Sequence, residues 1–191
     1  MNLRSPHIST ARIGSLVAAA GVTLGSVALS GAATAQTSTF RDAHGDMAGH
    51  GADIHNVRVV NAKAVRVRVQ HADLVRSYKS GSSIKVYLDT DRGERGPEFV
   101  FVGGTFRGAD YALQRVENWK VENPSAVPLQ SSYLMRLDYA DDVARIRFSR
   151  AALGNPDEVR VAVKTGGDLD GRQVVDWLHG RRDFTRWVAR G

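Results

Sequence analysis

The sequence predicts an all-β protein: a two-sheet antiparallel sandwich of jelly-roll type with one short helical turn. Three observations predict it. Val65, Val67 and Val69 alternate with Arg66, Arg68 and Gln70, the two-residue period of a strand with one face buried. Phe99 to Val102 is apolar without a break, the pattern of a strand covered on both faces. Turn-forming residues recur between such runs at hairpin spacing, and no long segment carries a helical period.

Residues 1–35 read as a secretory signal peptide, not as part of the fold. Arg4 and Arg12 give a basic start, Ile13 to Ala33 is small and apolar, and Ala33-Thr34-Ala35 fits a small-x-small cleavage site before Gln36. The competing reading is a membrane anchor, but many Gly, Ser and Thr residues make the segment weakly apolar for a span. No later stretch is long and apolar enough to cross a bilayer. The expected product is therefore secreted. The remainder is long enough for one domain with its own core. Cysteine is absent, so that domain rests on its core or on a bound ion.

From Gln36 the chain reads as follows. Residues 36–52 form a polar, Gly-rich, irregular lead-in, and residues 53–191 form the sandwich domain. Ile54 to Val60 and Ala64 to Gln70 make a hairpin across Asn61-Ala62-Lys63. Ile84, Val86 and Leu88 alternate with Lys85, Tyr87 and Asp89, and a polar loop leads into Phe99 to Val102. This hairpin is the expected centre of the fold. Asp110 to Lys120 continues as a strand carrying Trp119. Tyr133 to Tyr139 and Val143 to Ser149 pair across Ala140-Asp141-Asp142. Ser149 caps a helical turn that Gly154 ends and Pro156 prevents from continuing. Val159, Val161 and Val163 alternate in the next strand, Gly166 to Gly171 reads as a polar loop, and Val174 to Leu178 and Phe184 to Val188 close the chain. The expected core includes Val67, Val86, Phe101, Ile146 and Val161.

Several activities lack their signatures. The sequence has no Gly-x-Ser-x-Gly elbow, no His-Glu-x-x-His helix and no phosphate-binding glycine loop. A cysteine nucleophile is impossible, and five glutamates leave little for paired-carboxylate schemes. The expectation is a non-catalytic protein. The net charge is +6, and 21 of the 26 basic residues are arginine. They are spread along strands, which outside the cell argues against nucleic acid and for an anionic envelope polymer or plain solubility.

Four constellations could carry a function. Asp42, Asp46 and Asp53 stand on a Gly-rich lead-in, as a Ca²⁺ site of loose oxygen geometry needs; the competing reading is that they cap turns. His44, His50, His55 and Met47 could take Cu or Zn, but their spacing fits no compact ligand motif. Trp119, Trp177 and Trp187 could stack on sugar rings or pack in the interior. Arg66, Arg68, Lys85, Arg145, Arg147, Arg160 and Lys164 all fall on the polar phase of their strands, forming a basic outer face or the solvated side of a sheet.

A set of motifs spans nearly all of the chain after the leader. It comprises Asp42-x-x-Gly45-Asp46 before Asp53-Ile54, the Val-Arg-Val-Arg-Val strand ending near Ala72-Asp73-Leu74, and Val86-Tyr87-Leu88-Asp89-Thr90-Asp91. Gly96-Pro97-Glu98-Phe99, Gly108-x-Asp110-Tyr111 and Ser149-Arg150-x-x-Leu153-Gly154-Asn155-Pro156 complete it. With these the chain resembles uncharacterised secreted proteins of high-GC Gram-positive bacteria. More distantly it is similar to DOMON and family-nine carbohydrate-binding-module sandwiches. The resemblance implies binding of a sugar, haem or envelope ligand without catalysis. Haem binding in that group uses Met and His ligands, and Met135 has no matching histidine here. Sugar binding there uses paired aromatics and Ca²⁺, for which the three tryptophans are the candidates.

Overall fold

The computed structural model describes residues 36–47, 49–127 and 133–191; the expected signal peptide lies outside the described residues. Along the chain run β1 (Gln36–Arg41), β2 (Ile54–Asn61), β3 (Ala64–His71), β4 (Ser83–Asp89), β5 (Phe99–Gly104) and β6 (Tyr111–Glu117). They are followed by β7 (Lys120–Ala126), β8 (Tyr133–Asp138), β9 (Val143–Ser149), β10 (Glu158–Leu169), β11 (Arg172–Trp177) and β12 (Val188–Ala189). Two antiparallel sheets pack together. The first has the order β1-β2-β3-β9-β8 and the second β11-β10-β4-β5-β6-β7, with the short β12 added to β10. The expected sandwich is the observed architecture.

The alternation in the sequence dictates which faces meet. Val67, Val86, Phe101, Ile146 and Val161 are all buried between the sheets. Phe101 of β5 meets Phe148 of β9 edge-on, with ring centroids 5.8 Å apart. Burying such side chains supplies about 1.5–3 kcal/mol each. Met135 is part of the same core. The chain passes from the first sheet to the second after β3 and again after β9. The pairs β3–β9 and β4–β10 are antiparallel, with Gln70 opposite Val143 and Ala64 opposite Ser149, so the two passages leave from opposite ends of the sandwich. Strands β4 and β5 are central in the second sheet. The helical turn is a 3-10 turn at Ala151–Leu153, where Ser149 Oγ accepts the Ala152 N–H at 3.2 Å and Gly154, at φ 77°, ends it.

Four elements differ from the sequence reading. The expected strand Asp110 to Lys120 ends at Glu117, and a further strand, β7, follows after a turn. The lead-in is not irregular throughout: Gln36 to Arg41 pairs in register with Asn61 to Asn56 of β2. An edge strand is held by its backbone bonds and needs few apolar residues; here only Phe40 is buried. Strand β10 continues through Gly166 and Gly167 instead of ending in a loop. A Cβ on Gly167 would collide with the His50 ring, so the glycine is a close-approach residue within a strand. Last, Phe184 to Trp187 is not a strand. Residues 178–187 follow the free edge of β10 instead. The Leu178 N–H donates to Val163 O at 3.0 Å, and the Thr185 N–H to Val161 O at 2.8 Å.

Candidate functional site

The lead-in is fixed by side chains that the sequence presents as a polar tract. Met47 and His50 are buried. His50 Nδ1 accepts the Ala52 N–H at 3.0 Å while Nε2 faces Ser80 O at 3.2 Å, which puts the proton on Nε2. Thr165 Oγ1 lies 4.0 Å from Met47 Sδ. His44 stacks on His55 with centroids 4.0 Å apart. Among the described residues the three histidines do not gather into one ligand set.

The acidic residues regroup. Asp42, Asp46 and Asp176 bring carboxylate oxygens within 4.8 Å of one another, the one such grouping among the described residues. Asp176, at the end of β11, was not among the residues expected from sequence. Its Oδ2 accepts the Ile54 N–H at 2.7 Å, tying the second sheet to the first. Asp42 Oδ1 accepts the His179 N–H at 3.0 Å. Asp53 turns to the backbone, with Oδ2 accepting the Gly45 N–H at 2.8 Å. Burial, then the charges of Asp42 and Asp46, pushes the Asp176 carboxyl up to about 6. Burial, then Asp53 and Asp42, also raises Asp46. Three acceptor-only groups at this spacing can share protons or hold a hard cation such as Ca²⁺.

The tryptophans build a second, smaller apolar layer on the outer side of the second sheet. Tyr87, Val100 and Ala162 are buried there, and Trp119, Trp177 and Phe184 pack on them. Trp119 does not lie within a strand. It sits in the turn between β6 and β7, which Asn118 permits by adopting φ 61°. The turn folds its ring onto Tyr87 at 5.0 Å and Phe184 at 4.9 Å. Trp177 stacks on Tyr87 at 5.8 Å, and Trp119 and Trp177 meet at an interplanar angle of 66°. Trp187 lies apart, flanked by the Arg92 guanidinium at 4.7 Å and that of Arg160 at 4.6 Å. Arg160 also binds the fully buried Asp89 carboxylate, Nη2 to Oδ2, at 2.6 Å. Burial raises the Asp89 carboxyl, and Arg160 opposes the shift.

The basic strand residues separate into two groups. Arg160, Lys164 and Lys85 lie on the second sheet. Arg66, Arg68, Arg145 and Arg147 lie on the first, and the register adds Arg58 of β2 and Arg136 of β8. One cross-strand row reads Arg58, Arg68, Arg145, Arg136. The row beside it reads Val60, Arg66, Arg147, Leu134. Together they line a groove of about 510 Å³ on the outer face. Arg68 donates to Gln70 Oε1 at 2.7 Å. Arg145 donates to Asp138 at 2.8 Å and reaches Asp141 at 3.5 Å. Among the described residues, no ion pair or hydrogen bond engages the guanidinium of Arg58, Arg66, Arg136 or Arg147. Like charges directly opposite on a sheet are destabilising, so this face is a high-potential surface that an anion would relieve.

No family model and no curated protein matches the chain. The site therefore stands on its own geometry. Sequence reasoning found four of the six arginines. Arg58 lies between Val57 and Val59, the same alternation that marks Arg66, and Arg136 between Met135 and Leu137; register then places both in one row with Arg68 and Arg145.

Proposed function

We propose that the protein is a non-catalytic, exported β-sandwich that binds an anionic cell-envelope polymer across the outer face of β2, β3, β9 and β8. One observation carries the reading: six arginines converge on one open groove, and four of them have no internal partner among the described residues. Such a concentration of one sign raises the local concentration of the opposite charge and steers its approach. The motif likeness to secreted binding sandwiches supports binding over catalysis. A sugar-stacking site on the tryptophans draws less support, since Trp119 and Trp177 are inclined by 66° and pack on their own neighbours. The three carboxylates of Asp42, Asp46 and Asp176 are a secondary candidate for Ca²⁺.

The test is calorimetric titration with a linear polyanion and with neutral dextran at low and at high salt. Tight binding of the polyanion, weakening steeply with salt, is expected. Replacing Arg58, Arg66, Arg136 and Arg147 together by Ser should abolish it. An unchanged isotherm in that variant would place the ligand elsewhere.

A further inference from the structure

The groove narrows the chemistry of the partner, on the basis of the binding reading above. Every cation lining it is arginine; the lysines of β4 and β10 are on the other sheet. An ammonium would serve for charge alone. A guanidinium adds a rigid planar fork that matches two oxygens of one anion, and it is more weakly hydrated. Arg66 and Arg147 stand directly opposite each other on β3 and β9, in the middle of the face. Val60 and Leu134 flank them in the same row. Leu134 is 39 % exposed, and arginine stems offer further apolar surface. In this row charge stands in the middle and carbon on either side, which fits a chain whose anionic groups are joined by short aliphatic links, while the row beside it is arginine throughout.

We propose that this face binds a linear polyol phosphate, a polymer of phosphodiesters joined by short carbon chains. Arg66 and Arg147 hold one phosphodiester through its two non-ester oxygens, and Arg58 and Arg136 meet its neighbours. A nucleic acid also carries phosphodiesters, but the groove lining contains no aromatic ring on which a base could stack.

Affinities for poly(glycerol phosphate), polygalacturonate of matched charge and duplex DNA decide the matter. Poly(glycerol phosphate) should bind at least about tenfold more tightly than either of the others. Arg66→Lys with Arg147→Lys keeps the charge and removes the forks, so it should weaken the binding of poly(glycerol phosphate) by about tenfold while the salt dependence stays near that of the parent. Equal affinity for the carboxylate polymer, together with a silent lysine variant, overturns the phosphodiester inference and leaves the anionic-polymer reading standing. Tighter binding of DNA overturns it as well. Binding that survives serine at Arg58, Arg66, Arg136 and Arg147 together defeats both readings. If the double lysine variant melts below the parent, Arg58→Lys and Arg136→Lys, made singly, carry the same comparison.

Discussion

The two outer faces of the sandwich begin from the same sequence pattern and end differently. Val65-Arg66-Val67-Arg68-Val69 on β3 and Val159-Arg160-Val161-Ala162-Val163 on β10 both put valine inward and arginine outward. On the second sheet the outer side is covered by the Tyr87, Trp119, Trp177 and Phe184 layer. Arg160 is drawn into it, paired with Asp89 and stacked on Phe184 and Trp187. On the first sheet Arg66 faces Arg147 across the strand pair, and no aromatic residue lines the groove around them. Alternation tells which side of a strand meets the core. It says nothing about what the other side will meet.

The largest expected effect tests what the two sheets share. Phe101→Ala empties a fully buried site against Phe148 and should cost about 3–5 kcal/mol. A chemical-denaturation midpoint equal to that of the parent would mean that the inner layer is not common to both sheets. The next test sets the two faces against each other. Arg160→Met leaves the Asp89 carboxylate buried without its partner and should cost about 3 kcal/mol. Arg66→Met on the open face removes a like-charge neighbour instead and should be neutral or stabilising by about 0.5 kcal/mol. Equal losses in thermal melts of the two variants would erase the distinction drawn between the faces.

A smaller effect belongs to the seam between the sheets, where Asp176 of β11 accepts the Ile54 N–H of β2. The Asp176 carboxyl stands near 6 in the folded state against an ordinary 3.8. The folded chain therefore holds this proton more tightly than the unfolded chain. That contribution to stability is complete below about pH 4 and is lost as pH rises through about 6. His71, also buried, has the opposite sign: burial lowers it from 6.5 to about 4. Its contribution is complete above about pH 6.5 and is lost as pH falls toward 4. The two slopes oppose each other between these limits. Asp176→Asn keeps an acceptor for Ile54 and removes one slope. It should gain about 1–3 kcal/mol near pH 7, and its stability should then fall steadily from about pH 6.5 to 4. Urea melts of both proteins across that range check the sign, and parallel pH profiles would show that Asp176 is not strained.

The strands and the inward residues were legible because alternation is local. Val67, Val86 and Ile146 announce their orientation through their immediate neighbours, and Asn61-Ala62-Lys63 announces its hairpin. Edge strand β1 was not legible, since a backbone ladder with one inward Phe40 leaves almost no side-chain signal. The continuation of β10 was hidden because Gly167 reads as a turn residue until the His50 ring is placed against it.

By itself, then, the sequence determined an all-β sandwich, its core phase and the absence of the common catalytic motifs. Only the tertiary structure decided which polar residues stand together. Asp176 joins Asp42 and Asp46, and Arg58 and Arg136 complete the row begun by Arg68 and Arg145. The reason is physical. Alternation is a property of one strand, whereas cross-strand neighbours follow from register, which belongs to pairs of strands brought together from distant parts of the chain.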